Sequence, residues 1–231
     1  MKIIAHRGYG KGPFENTLEA VRKAIWLGVD GIEIDVHGSS DGEIVVFHDS
    51  VVEEKTNGRG AVAELTLEEL QELTLTSGYK IPTLKELLTL VATSAELMIN
   101  IEIKPKNIEG YVLDVIQESA LKNSVVISSY KHSVLQEVRA RDANIPTLLI
   151  FKRPLDAAIK ISKQLGCSGL APRFQLISHA FVKKCHQVGL LVYPWAVNEI
   201  EDMQKTLTWN VDGIITDFPE KLWKLVNKPI K

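Results

Sequence analysis

Gly31-Ile32-Glu33-Ile34-Asp35-Val36 and Met98-Ile99-Asn100-Ile101-Glu102-Ile103-Lys104 decide how this chain is read. Both alternate apolar and polar residues with the two-residue period of a β-strand. Glu33 and Asp35 therefore share one face, and Glu102 shares one with Lys104. Ile32, Ile34, Val36, Ile101 and Ile103 take the opposite face, which is built for burial. Carboxylates beside such a core are costly unless cations or hydrogen bonds compensate them. The two segments thus mark a charged site as well as a fold.

Outward from them, short apolar runs alternate with longer amphipathic ones. Strands are expected at 3–5, 31–36, 97–103, 125–129, 147–151, 168–171, 190–194 and 212–216. Helices are expected over 17–27 and near 84–93, 109–120, 132–141, 155–165, 178–187, 199–207 and 219–227. Asn16 or Thr17 caps the first helix, Thr83 with Glu86 three residues on reads as a capping box, and Ser178 opens another helix. Strands separated by helices pair in parallel, because each return needs a long crossover. Eight such strands close naturally, and a chain of 231 residues suits a barrel of roughly 250. The expected fold is α/β, a single (β/α)8 TIM barrel, with one domain over 1–231. A doubly wound open sheet would need a dinucleotide loop after the first strand. Gly8, Gly10 and Gly12 follow it, but Pro13 and the His6-Arg7 pair break that fingerprint.

One segment interrupts the alternation. Ser39-Ser40-Asp41-Gly42 reads as a turn, 43–47 as a strand folding back from the second barrel strand, and 67–73 as a short helix. Residues 37–80 are accordingly expected as an insertion after strand two, on the rim where the strands' carboxyl ends emerge.

The bulk properties narrow the function. A composition 45% hydrophobic and 24% charged is ordinary globular material, and a net charge of −2 gives no reason to expect nucleic acid. No stretch approaches the roughly 18 apolar residues of a membrane span. The amino terminus lacks the apolar core of a signal peptide. Cys167 and Cys185 stand in no ligand-like spacing and read as reduced thiols. A cytoplasmic protein without a membrane anchor is expected, and nothing in the pattern specifies an oligomer.

In a barrel of this kind the chemistry lies at the carboxyl ends of the strands, where Glu33, Asp35, Glu102 and Lys104 fall together with His6 and Arg7. Three converging carboxylates repel one another. One divalent cation relieves that repulsion, and an all-oxygen donor set favours Mg²⁺ or Ca²⁺. Buried ion pairs with Arg7 and Lys104 are the alternative use of the same acids. With the ion and both basic residues counted, the pocket keeps about one surplus positive charge, which suits a phosphodiester better than a dianionic monoester. His6 and His48 are the two imidazoles on the expected rim, and such a pair flanking one phosphorus can serve as base and acid. His37 falls in a loop, and His132, His179 and His186 on helices. Trp195 and Phe174 are candidates for a pocket wall.

Taken in order, further segments make the pattern specific: His6-Arg7-Gly8, Glu15-Asn16-Thr17, Gly28 to Val36, Asp41-Gly42 leading to Val46-Phe47-His48-Asp49, Thr56-Asn57-Gly58, Ile81-Pro82-Thr83-Leu84, Asn100 to Lys104, Trp195 to Asn198 and Asp212 to Pro219. Over nearly the whole chain this resembles the glycerophosphodiester phosphodiesterases, metal-dependent barrel enzymes. Phe14 stands where the family often has Pro before Glu-Asn-Thr, a difference of loop shape.

The resemblance implies that Glu33, Asp35 and Glu102 hold the metal, that His6 accepts a proton and His48 donates one, and that Arg7 and Lys104 grip the phosphate. Glu15 and Asn16 would complete the polar rim, and 37–80 would help cover the glycerol end. The implied substrates are small glycerophosphodiesters such as glycerophosphocholine or glycerophosphoethanolamine, split to glycerol 3-phosphate and an alcohol. A lysophospholipase D or phosphoinositide-type phospholipase on the same barrel is the second enzymatic reading. It needs apolar surface near the site, which Val51, Val52, Val62 and Leu65 supply only modestly. A barrel that binds a phosphorylated metabolite without turnover would have lost a histidine or a carboxylate, and none is missing.

Overall fold

The computed structural model describes residues 1–226 apart from 11, 13, 95, 96, 122 and 153–156. Eight parallel strands form the barrel: β1 (Lys2–His6), β2 (Gly31–Gly38), β4 (Met98–Ile103), β5 (Val125–Ser129), β6 (Thr147–Phe151), β7 (Gly169–Pro172), β8 (Leu191–Val192) and β9 (Gly213–Thr216). Their order is β8-β7-β6-β5-β4-β2-β1-β9, and an antiparallel β3 (Ile44–Val46) pairs with β2 outside that path. The seam between β8 and β9 is joined by backbone hydrogen bonds. Asp212 donates to the carbonyl of Val192 at 3.1 Å, Ile215 to Pro194 at 3.0 Å and Val197 to Ile215 at 3.0 Å. Pro194 has no N–H to donate, which explains why β8 ends two residues before the expected 194.

Helices α1 (Leu18–Leu27), α3 (Leu84–Val91), α4 (Glu109–Glu118), α5 (His132–Arg141), α6 (Ala158–Gln164), α7 (His179–Gln187), α8 (Ile200–Thr208) and α9 (Pro219–Leu225) alternate with these strands, and α2 (Leu67–Glu72) lies in the insertion. Thr17, not Asn16, caps α1 by accepting from the amide of Ala20, and Gly28 closes it at φ 75°. Thr83 and Glu86 form the reciprocal capping box of α3. The expected helix at 155–165 begins at Ala158, its first two positions lying outside the described residues, as does the last position of the one at 219–227.

Alternation partitions the side chains as the sequence requires. Ile32, Ile34, Val36, Ile99, Ile101 and Ile103 join the large apolar layer shared with the helices. The inward positions Ile4, Met98, Leu148, Ile150, Ala171, Tyr193 and Ile215 fill the barrel itself. The insertion carries its own apolar cluster, including Val45, Phe47, Val52, Val62, Leu70 and Ile81, which sets it as a firm body on the rim. Here β2 runs two residues beyond expectation, through His37 and Gly38, because pairing with β3 prolongs it. His37 is therefore a buried strand residue and not a loop residue. Among the described residues no helix is long and apolar enough to cross a membrane, and Cys167 and Cys185 are buried and unpaired.

Candidate active site

Strand register assembles the site. His6 pairs with Glu33, Glu33 with Asn100 and Asp35 with Glu102, so inward side chains of β1, β2 and β4 stand side by side. One carboxylate oxygen from each of Glu33, Asp35 and Glu102 lies within 4.8 Å of the others, and all three residues are buried. Burial and the neighbouring charge of Asp35 push the Glu33 carboxyl up to about 8. Glu102 is raised by the same two causes. For Asp35 burial acts in the same upward sense, but Lys104 and Arg7 hold the group well below the usual carboxylate range. Lys104 Nζ lies 2.8 Å from Asp35 Oδ1 and 2.7 Å from Glu102 Oε1. Asn16 donates through Nδ2 to Asp35 Oδ2 at 2.9 Å and accepts at Oδ1 from the Asp35 amide.

An all-carboxylate donor set in which burial and mutual repulsion raise two members fits a hard divalent cation. Asn100 Oδ1 and Ser128 Oγ add buried oxygens that have no partner among the described residues and belong to residues lining the same cavity.

His6 is fixed by a residue to which sequence reasoning gave no role. Its Nδ1 lies 2.6 Å from Asp217 Oδ1, and Asp217 is held by Asn198, which donates from Nδ2 at 2.6 Å and accepts the Asp217 amide at 3.0 Å. Burial works to raise the Asp217 carboxyl, but the His6 hydrogen bond and charge bring it below its ordinary value. An ionised carboxylate only accepts, so Nδ1 carries the proton and Nε2 is turned to the site, 3.8 Å from Glu33 Oε2. Burial lowers the His6 pKa, yet Asp217 and Glu33 outweigh it and the net shift is upward.

Arg7 follows in the left-handed region at φ 54°. Its Nη1 donates to Glu15 Oε1 at 2.6 Å, and its Nε stands 3.2 Å from Asp35 Oδ2. Glu15 is also paired with Lys55, so this carboxylate is spent on two cations inside the protein. Glu15 and Asn16 are both buried and brace Arg7 and Asp35 from behind.

His48 enters from the insertion. Its Nδ1 lies 2.5 Å from Asp49 Oδ1, and its backbone carbonyl accepts from His37 Nε2 at 3.2 Å. Burial lowers its pKa, with Lys104 and Arg7 adding to the effect against the attraction of Asp35. Lys55 Nζ stands 3.5 Å from Asp49 Oδ2, so one lysine of the insertion touches the carboxylates behind both Arg7 and His48.

These groups converge on a cavity of about 250 Å³ lined by His6, Arg7, Glu33, His48, Glu102 and Lys104 on one side. Tyr130, Ile150, Lys152, Ala171 and Trp195 form the other side. Trp195 lies on the wall, its indole Nε1 donating to the Ala171 carbonyl at 2.9 Å. Phe174 does not line the cavity. It turns outward into the barrel–helix layer and stacks on Trp209 at 6.0 Å, because the chain after β7 enters a short 3₁₀ turn. A larger cleft between α4 and α5, about 750 Å³, contains none of the carboxylates and imidazoles described above.

Residues 6–221 match the glycerophosphoryl diester phosphodiesterase family. The chain belongs to that family. A glycerophosphodiester phosphodiesterase of Caldanaerobacter subterraneus subsp. tengcongensis is 36% identical, the alignment covering 98% of each chain. Among solved structures, a glycerophosphodiester phosphodiesterase of Thermotoga maritima superposes with a TM-score of 0.84 at 29% identity, over 97% of this chain and 98% of that one. An Oleispira antarctica phosphodiesterase, in complex with the product sn-glycerol-3-phosphate, superposes with a TM-score of 0.92 at 25% identity, over 99% and 97%. Membership in the glycerophosphoryl diester phosphodiesterase family makes this chain a phosphodiesterase built on a TIM barrel.

Proposed function

We propose that this chain hydrolyses small glycerophosphodiesters to glycerol 3-phosphate and an alcohol, with His6 as base and His48 as acid. The observation that carries the reading is the convergence of both imidazoles, Glu33, Glu102 and Lys104 on one cavity, with Asp35 within 4.8 Å of the other two carboxylates. The product bound in the Oleispira antarctica relative supports the same substrate class. Glu33, Asp35 and Glu102 would hold one divalent cation, Mg²⁺ or Ca²⁺, which supplies Lewis-acid polarisation of a non-bridging phosphate oxygen.

Arg7 and Lys104 bind the phosphate and oppose charge building on phosphorus, and their carboxylate partners fix them before substrate arrives. His6 takes the proton from the nucleophile at Nε2, the tautomer being set by Asp217. His48 delivers a proton to the departing alkoxide. In the chain without an ion the pKa shifts run the other way, upward for His6 and downward for His48. Asp217 and Glu33 both contribute to the first shift, and a cation held beside Glu33 would lower it.

The test is product analysis on glycerophosphodiesters with Mg²⁺, Ca²⁺ or chelator. Metal-dependent release of glycerol 3-phosphate supports the reading, and turnover indifferent to chelator removes the metal from it.

A further inference from the structure

The cavity is two-sided, and its second side has a charge of its own. Tyr130, Lys152 and Trp195 continue the inward rows of β5, β6 and β8, and β5 stands next to the carboxylate-bearing β4. Tyr130 and Trp195 meet edge to face, centroids 6.1 Å apart at 85°. The Lys152 ammonium sits over both rings, 4.7 Å from the centroid of Tyr130 and 5.8 Å from that of Trp195.

A pair of aromatic faces beside a phosphate site is the usual receptor for a quaternary ammonium head group. Here those faces already hold a cation supplied by the protein. A second cation would have to displace Lys152 or stand beside it, and like charges at such separations repel even near solvent. A phosphodiester carries a substituent on each side of phosphorus. With the phosphate held at the charged side of the cavity, one substituent lies against this wall.

We infer that Lys152, seated on Tyr130 and Trp195, is a specificity-determining residue that favours an uncharged polyol or anionic head group over a cationic one. This rests on the functional reading above and deepens it. The ammonium offers three donors to hydroxyl or carboxylate oxygens and offers nothing to a trimethylammonium. Because Lys152 is exposed, solvent screens part of the effect, and discrimination is modest and salt-dependent.

The experiment compares kcat/KM for glycerophosphoglycerol, glycerophosphoinositol and glycerophosphocholine in the wild-type chain, Lys152→Met and Lys152→Arg. The wild type prefers the two polyol substrates. Lys152→Met shifts the polyol-to-choline ratio toward choline by about fivefold at low salt, and Lys152→Arg keeps the wild-type ratio. An unmoved ratio in Lys152→Met overturns the inference. So does an equal loss on all three substrates, which would place the common glycerol or phosphate against this wall. A wild type that cleaves none of the three overturns the functional reading itself, and the inference with it.

Discussion

Asp217 Oδ1 stands 2.6 Å from Nδ1 of His6, joining the last barrel strand to the first across the whole length of the chain. The carboxylate leaves Nε2 as the only ring nitrogen able to take a proton at the site. Asp217→Asn keeps the size and the link to the backbone but no longer secures that tautomer. It is expected to lower kcat at least about tenfold with little change in KM. Steady-state kinetics on a glycerophosphodiester checks this, and an unchanged kcat would remove Asp217 from the mechanism.

As a ligand in the proposed site, Glu33 would link metal binding to pH. Burial beside Asp35 raises its carboxyl to about 8, so without metal it is protonated at neutral pH. A raised carboxyl favours the folded chain fully below the ordinary 4.5, and that contribution is lost as pH rises through about 8. Metal binding must expel the proton. Calorimetry in buffers of different ionisation enthalpy is expected to show about one proton released per ion at pH 7 and fewer at pH 9, with affinity falling as the pH drops below 8. Affinity independent of pH, with no proton released, would contradict the assignment.

Much of this was legible in the sequence, for a physical reason. Period-two alternation put Glu33, Asp35 and Glu102 on one face, and the strands' register then brought them together. The Asp41-Gly42 turn announced the insertion, Gly42 taking φ 88°. Asp217 was not legible as a partner of His6, because nothing local distinguishes it from a loop acid ahead of the Pro219 helix start. His37 read as a loop residue because strand prolongation by β3 is a tertiary effect. Phe174 read as a wall because its 3₁₀ turn, which directs it outward, has no strong local signal. A signal for Lys152 did exist: the inward row Leu148, Ile150, Lys152 obeys the same alternation as Met98, Asn100, Glu102.

Lys55 ties the insertion to Glu15, the partner of Arg7, and to Asp49, the partner of His48. Among the described residues, Lys55→Met leaves Arg7 as the one cation on Glu15 and loosens the carboxylate behind His48. A fall in kcat/KM of about fivefold or more is expected, with far-UV circular dichroism unchanged. Wild-type kcat/KM in this variant would show that the link positions nothing.

Gly8 follows the His6-Arg7 pair at φ 90°, and a Cβ there would stand 2.8 Å from that of Ala20 and 3.0 Å from the Ala20 carbonyl carbon. Gly8→Ala therefore forces β1 and α1 apart where the site is built. A loss of about 2 kcal/mol or more in urea denaturation is expected. Unchanged stability would show that this approach tolerates a side chain.

The division of labour between the two imidazoles is tested most directly by leaving-group dependence. His6→Ala and His48→Ala are assayed on a glycerol phosphodiester of an alkanol and on one of 4-nitrophenol, whose phenolate leaves without a proton. On the alkanol diester both variants are expected to lose about 10²-fold or more in kcat. On the nitrophenyl diester His48→Ala recovers most of its rate, and His6→Ala does not. Equal losses on both substrates, or full activity of either variant on the alkanol diester, would contradict a base at His6 and an acid at His48.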